Sequence, residues 1–161
     1  MAVRSPLVII TGQVQQLPSG DSINSPQSGP AQVTLTNDEA SPVVICAPVY
    51  MDAADGFKKA QANASGTRKV IGLVGTSPSI TNATSGQVNV SGVMTATTTQ
   101  WDAVTGGSGG LTFNTTYYLD PTTSGKLTST APSTVGQYVV EIGIAVSTTE
   151  LEIRIQKDIL L

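Results

Sequence analysis

Short apolar runs recur along the whole chain, and clusters of Gly, Pro, Asn and Ser separate them. In residues 151–156 every second residue is apolar, which is typical of a strand with one buried face. The segments with strand character are 7–15, 32–36, 42–51, 70–74, 87–95, 116–119, 126–130, 137–146 and 151–156. Many short strands at close spacing, with turn residues between them, predict an all-β fold, a compact barrel or sandwich.

One segment has helical rather than strand character. Residues 98–104 offer threonines that can cap a helix, and Gly106 and Gly107 follow where it would end. The segment contains Trp101, the single tryptophan, which we expect to anchor the core because aromatic side chains mostly bury area. In the strand 87–95, Gly92 interrupts the apolar period and predicts a bulge or a bend.

The chain contains an internal repeat. Val-Tyr-Met-Asp at 49–52 precedes Ile-Gly-Leu-Val at 71–74, and Tyr-Tyr-Leu-Asp at 117–120 precedes Ile-Gly-Ile-Ala at 142–145. The offsets stay near 70 residues throughout. We therefore predict two related β units, at about 31–97 and 98–161, that pack face to face and supply each other's apolar layer.

Composition limits the kinds of partner. Charged residues make up 12% of the chain, against about 25% in an ordinary soluble domain. Neutral hydroxyls and amides suit lateral protein contacts, because few ions must be desolvated on assembly. Basic residues form no stripe, so we expect no nucleic-acid partner. Apolar runs are too short to cross a membrane, so we expect no membrane partner either.

The residues that most enzymes use are scarce. Histidine is absent, which removes His-based triads and most zinc sites. Cys46 is the single cysteine and lies in an apolar run, so we expect a buried, poorly nucleophilic thiol. The glycines at 106–110 lack the lysine and the following helix of a phosphate-binding loop, and they predict a flexible loop. No catalytic residue and no cofactor are therefore predicted.

Carboxylates are the remaining candidates for chemistry. Asp52 with Asp55, or Asp102 with Asp120, could form the pair that hydrolyses a glycoside. Against this, aromatic residues that could form a sugar platform make up only 4% of the chain. Asp52 and Asp120 also occupy matching turns, where Asp accepts hydrogen bonds from its own backbone. The segment around Asp52 and Asp55 offers too few oxygen ligands for calcium, and no metal site is predicted.

An ordered series of motifs carries a resemblance to a known class of protein. The motifs lie at 100–106, 109–112, 117–119, 125–128, 132, 136–140, 142–145 and 159–161. In this order they resemble a β module of tailed-bacteriophage structural proteins, found in fibres, spikes and head-decoration proteins. Residues 6–21 are similar to the opening of phage fibre and head-associated proteins, and 48–52 with 70–74 are similar to capsid cement proteins.

The resemblance departs from the module at one position. Asn114 stands where the module usually has Gly before the paired tyrosines. Asn also tolerates positive φ, so we expect the turn to be retained. The resemblance implies a virion protein on the exterior of the phage particle, often a homotrimer, that binds by shape rather than by chemistry.

Three functions fit these observations. The first is a capsid decoration (cement) protein that binds the major capsid protein or other virion proteins. The second is a fibre, spike or neck adaptor of the head or tail, such as a head fibre. The third is a carbohydrate-binding or hydrolytic domain. Long fibre repeats are absent from the sequence, which favours the first function over the second.

The N-terminal segment is the predicted attachment site. Residues 7–16 have strand character but no partner within the repeated units, and a leftover strand can add to the sheet of another chain. We therefore predict an attachment arm at 1–24, with its turn at 17–21, and a β body at 25–161 whose compact part is 31–161. The predicted attachment residues are Leu7, Val8, Ile9, Ile10, Gln13, Gln15 and Leu17. The alternative is that 7–16 is an ordinary strand of the body.

Overall fold

A computed structural model describes residues 29–161 in full, together with the backbone of 7–10 and 13–16. The elements before the helix are β1 (Leu7–Ile10), β2 (Gln13–Gln16), β3 (Ala31–Asn37), β4 (Val43–Val44), β5 (Pro48–Met51), β6 (Gly56–Lys59), β7 (Val70–Val74), β8 (Ser79–Ile80) and β9 (Ser85–Thr95). The helix α1 (Thr98–Thr105) is followed by β10 (Thr116–Leu119), β11 (Leu127–Thr128), β12 (Tyr138–Val139), β13 (Glu141–Ala145), β14 (Glu150–Ile153) and β15 (Ile159–Leu160). The predicted all-β fold is confirmed.

Strands of the first unit close a barrel. β9 pairs with β3 on one side and with β7 on the other, and β6 and β5 complete the ring. The β3–β6 ladder is parallel and the other ladders of the barrel are antiparallel. Apolar side chains from its strands, among them Val49, Phe57, Leu73 and Val88, are completely buried. Closure leaves the barrel without a free edge.

The second unit extends from the same sheet. β9 pairs through Gly92–Thr95 with β14, and β13, β10 and β11 follow in order. The changeover lies at Gly92, whose φ is 91°, and a Cβ there would come within 2.9 Å of the Cα of Pro30. The β3–β9 register shifts beside it, between Ala31 and Gln32. On β9 the shift lies between Asn89 and Ser91, directly before Gly92, so the predicted bulge or bend is confirmed, and β9 pairs with strands of both units.

The internal repeat is visible in the pairing register of the two units. In β5–β7, Val49 lies opposite Gly72 and the register shifts directly after Val49. In β10–β13, Tyr117 lies opposite Gly143 and the register shifts directly after Tyr117. The irregularity therefore recurs at the same place in both units. The units are joined through β9, which pairs with strands of both, and their buried residues belong to one core.

The turn before each of these ladders also repeats. Cys46 has a φ of 69°, and its N–H donates to Val74 O at 2.8 Å. Asn114 has a φ of 57°, and its N–H donates to Ala145 O at 2.8 Å. The turn expected at Asn114 is confirmed. The same turn at Cys46 divides the predicted strand 42–51 into β4 and β5, because the chain turns at Ile45 and Cys46 although both residues are buried.

Other predicted strands differ in their bounds. The strand predicted at 7–15 is two strands, β1 and β2, and the strand predicted at 137–146 is divided into β12 and β13. Three strands were missed: β6, β8 and β15. β6 contains Lys58 and Lys59, and β8 and β15 have two residues each, so none shows an apolar alternation long enough to detect.

In the second unit the helix α1 lies beside β11, whereas in the first unit β3 pairs with the corresponding strand, β6. The N-cap of α1 is Thr97, one residue before the predicted segment, and Thr97 with Gln100 forms a capping box. Trp101 is completely buried and its Nε1–H donates to Thr149 O at 3.0 Å, so the predicted core role is confirmed. The helix packs against β11, and Lys126 Nζ donates to Ala103 O.

Candidate functional site: attachment surfaces

The N-terminal strands form a hairpin of their own. β1 and β2 pair antiparallel, with Leu7 opposite Gln16 and Ile10 opposite Gln13, and Thr11 and Gly12 connect them. They form a two-stranded sheet that is separate from the nine-stranded sheet. Among the predicted attachment residues, Leu7, Val8, Ile9 and Ile10 lie on β1, and Gln13 and Gln15 lie on β2. Leu17 and the predicted turn 17–21 lie outside the described residues.

A second candidate surface lies at the other end of the chain. β12 and β15 form an antiparallel ribbon, with Tyr138 opposite Leu160 and Val139 opposite Ile159. We call these two strands, with Leu161, the C-terminal ribbon. Ile159 is 62% exposed, Leu160 60% and Leu161 39%, and the nearby Val135 is 88% exposed. Four exposed apolar side chains in such short segments of a small body are typical of an interaction site.

The C-terminal ribbon is fastened to the loop between β6 and β7. Arg68 Nε contacts Asp158 Oδ2 at 2.5 Å, and the guanidinium of Arg68 lies 4.1 Å from the centre of the Tyr138 ring. The hydrogen bond from Arg68 lowers the pKa of the Asp158 carboxyl. Tyr138 N–H donates to Ala62 O at 3.0 Å. The ribbon is therefore held in place from one side while its apolar side chains stay exposed.

A third candidate surface contains Phe113, near the C-terminal end of β13. This residue is 70% exposed and Val146, across the ladder, is 38% exposed. Its counterpart in the first unit is Ile45, which is 7% exposed and donates its N–H to Pro78 O at 3.0 Å. The longer connection 75–84 covers that position in the first unit, whereas 146–149 is too short to cover Phe113.

A groove of about 430 Å³ lies beside the bend of β9. Its lining includes Pro30, Gln32, Asn89 and Glu150. Gln32 Nε2 donates to Asn89 Oδ1 at 2.8 Å across it. Glu150 is the one titratable residue among the described residues of its lining.

The matching aspartates lie in matching turns, but of the two carboxylates only that of Asp120 accepts the predicted hydrogen bonds from its own turn, whereas that of Asp52 pairs with a lysine. Asp52 N–H donates to Gly56 O at 3.1 Å, and Asp120 N–H donates to Lys126 O at 3.1 Å. The side chain of Asp52 contacts Lys58 Nζ at 2.6 Å. That of Asp120 accepts hydrogen bonds from the N–H groups of Thr122 and Thr123 at 2.6 and 2.8 Å and from the Thr122 hydroxyl at 2.7 Å.

The hydrogen bonds at Asp120 also set its ionisation. Partial burial raises the pKa of the Asp120 carboxyl, but the bonds from Thr122 and Thr123 outweigh burial and leave the pKa below its ordinary value. The Asp120 carboxylate therefore stays charged at neutral pH and supports its own turn, the role predicted for it.

The other candidate groups are also engaged in the fold. Asp102 accepts hydrogen bonds from the N–H groups of Gly109 and Gly110 at 3.1 and 2.8 Å, and so ties the glycine-rich loop to α1. Cys46 is completely buried, as predicted, and burial raises the pKa of its thiol to about 12. A thiol with this pKa carries almost no thiolate at neutral pH and is a poor nucleophile.

Residues 29–161 bring together no group of three His, Cys, Asp or Glu side chains suited to a metal ion. No described helix is long and apolar enough to span a bilayer. The chain matches no protein-family model, no curated protein and no solved structure.

Proposed function

We propose that this chain is a non-enzymatic structural protein of a tailed-phage particle. It acts as a capsid decoration protein that binds the major capsid protein on the exterior of the head. The observation that carries the proposal is that the barrel closes with strands from residues 31–95 alone, while residues 7–16 pair only with each other in the described ladders. The body needs no strand from the N-terminal segment, so this segment serves a partner.

The composition of the hairpin supports an attachment role. β1 is Leu-Val-Ile-Ile and β2 is Gln-Val-Gln-Gln. A two-stranded hairpin is marginally stable alone in water and needs another sheet or surface to be stable. Docking on the particle would supply that surface through backbone pairing and through the apolar residues of β1.

The body suits a role in which contact, rather than chemistry, does the work. Its carboxylates Asp52, Asp102 and Asp120 hold turns and a loop, and its thiol is buried. Because few residues are charged, the free-energy cost of desolvating a lateral contact surface is small. By the resemblance to phage modules we propose a homotrimer with a closed three-fold interface.

Deleting residues 1–24 tests the attachment role. The truncated protein should stay folded by circular dichroism, and it should no longer bind particles that lack their own copy of the protein. If it unfolds instead, the segment belongs to the body and the attachment site lies elsewhere. A matched pair of point variants, Ile9→Asp in the arm and Phe113→Asp on the body, separates the two surfaces. We expect only Ile9→Asp to weaken particle binding.

Cryo-electron microscopy of intact particles tests the location. Density for the barrel over the capsid shell supports the decoration role. Density confined to the neck or tail would contradict it and would favour a fibre, spike or neck adaptor.

Carboxylate variants test the absence of catalysis. Single changes of Asp52, Asp55, Asp102 and Asp120 to Asn should leave particle binding intact and lower stability by at most about 1 kcal/mol. A glycosidase or esterase activity that one of these changes abolishes would refute a purely structural role.

A further inference from the structure

The register of the C-terminal ribbon determines which backbone groups of β15 point outward. The N–H of Tyr138 points away from β15 and donates to Ala62 O. The N–H of Leu161 points toward β12 and donates to Gln137 O at 3.0 Å. In an antiparallel ladder, consecutive residues alternately bond to the neighbouring strand and point away from it. Leu160, opposite Tyr138, therefore directs its N–H and C=O to the outer edge of β15. Among residues 29–161, β12 is the one strand that pairs with β15.

The exposure of consecutive residues indicates how a partner covers this edge. Neighbouring residues of a strand point to opposite faces. Ile159 and Leu160 are both about three-fifths exposed, so the body covers neither face. A partner lying on one face would leave the other apolar side chain in water. An added strand places a neighbour beside both side chains at once and also pairs the outward groups of Leu160.

We propose that a second copy of this chain adds its own β15 to this edge, antiparallel, with the two-fold axis at Ile159. This pairing sets Asp158 opposite Leu160 and Lys157 opposite Leu161, so no like charges meet. Parallel pairing of two identical strands could set Lys157 beside Lys157 and Asp158 beside Asp158, which is unfavourable. The antiparallel contact is isologous, because each strand presents the same residues to the other.

This contact is independent of the N-terminal arm and goes beyond the proposed function. A pair of five-residue edges is smaller than a standard interface of about 800 Å² per partner. The association is therefore weak in dilute solution and forms where many copies are held close together. Copies arrayed on one particle would meet that condition.

Cysteine cross-linking tests the register. Ile159 would lie opposite its symmetry mate in a pair not bridged by hydrogen bonds, where the two Cα atoms are close enough for a disulfide. Ile159→Cys should therefore form disulfide-linked dimers about ten times faster than Phe113→Cys under mild oxidation. Phe113 is similarly exposed but lies at the other end of β13, and Cys46 is buried and unreactive in both variants. Equal rates for the two variants would refute the contact.

Two variants of opposite charge at Leu160 test the contact without cross-linking. Leu160→Asp places a carboxylate opposite Asp158 of the second copy, whereas Leu160→Lys places a cation there. In sedimentation equilibrium at roughly 0.5 mM, a concentration suited to a small interface, Leu160→Asp should have a lower average mass than Leu160→Lys. Because two variants of one chain are compared, the lower mass of Leu160→Asp is expected whether or not the three-fold contact also forms. Equal masses for the two variants, with both folded by circular dichroism, would overturn the proposal.

Discussion

The two β units share four strands in the same order and differ in what closes them. The order is β6-β5-β7-β9 in the first unit and β11-β10-β13-β14 in the second. In the first, β3 bridges β9 and β6 and completes a barrel. In the second, α1 packs against β11 instead, and β9 pairs with β14. The repeated residues thus specify a four-strand register, and elements outside the repeat decide whether the sheet closes on itself.

A second difference concerns how the shared turn is covered. Ile45 and Phe113 occupy equivalent positions, each just before a residue with positive φ. The connection 75–84 buries Ile45, and the shorter connection 146–149 leaves Phe113 exposed. The same backbone geometry therefore gives a core position in one unit and a surface position in the other. Connection length, rather than the turn, decides burial.

Trp101→Ala should produce the largest effect, since it removes the buried anchor of the helix that replaces β3. We expect a loss of about 3–5 kcal/mol in the free energy of unfolding, typical of a large buried aromatic residue. Urea denaturation followed by far-ultraviolet circular dichroism measures this loss. Phe113→Ala is the matched control and should change stability by less than about 0.5 kcal/mol. A loss of under about 1 kcal/mol for Trp101→Ala would show that the helix does not close the second unit.

Gly72→Ala and Gly143→Ala should each cost about 2–3 kcal/mol, because both glycines face the backbone of the next strand. A Cβ would come within 2.3 Å of Asn89 O at Gly72 and within 2.1 Å of Glu152 O at Gly143. Gly66→Ala is the control, since a Cβ there meets nothing within 4 Å.

The glycine variants also test whether the units unfold together. Trp101 fluorescence reports on the second unit, and circular dichroism reports on both. Because β9 belongs to both units, the unfolding midpoints of Gly72→Ala measured by the two signals should fall at the same urea concentration. Separate transitions, or tolerance of alanine at one glycine only, would break the equivalence of the units.

Thr97→Ala should cost about 1 kcal/mol, because it removes the side-chain cap of α1 and half of the capping box. Thr99 is exposed within the same helix, so Thr99→Ala serves as the control and should be neutral or slightly stabilising. Thermal unfolding of both variants measures the difference. Equal melting temperatures would mean that the second unit does not depend on the helix start.

Asp120→Asn should have the smallest effect, about 0.5 kcal/mol at neutral pH, since the carboxylate is partly exposed. The folded-state pKa of Asp120 lies below its ordinary value of 3.8, so its contribution is present above that pH and is lost as pH falls through the folded-state pKa. The difference between wild type and variant should therefore shrink as the pH is lowered below 3.8. Urea denaturation at a series of pH values measures it, and a pH-independent difference would contradict the hydrogen-bond origin of the shift. Thr122→Val removes one of the donors and should give an intermediate profile.

Sequence alone determined the features that depend on nearby residues. Short apolar runs bounded by polar and turn residues located β7 and β10 at their observed bounds. The glycines after α1 and the break at Gly92 were also predicted, because caps and bulges require particular residue types at particular places. The repeat was predicted from ordered motifs, and its register confirms it.

Tertiary structure decided the features that depend on distant pairing. The turn at Cys46 was hidden in a run that is buried on both sides of it, and β6 was hidden by its two lysines. Of the attachment surfaces, the sequence predicted the residues of β1 and β2 but not that they pair with each other. It did not predict the C-terminal ribbon, because Ile159 and Leu160 resemble any short apolar pair until folding places them on an open edge. Exposure is a property of the assembled sheet, since the same apolar residue is core or surface according to what lies across from it.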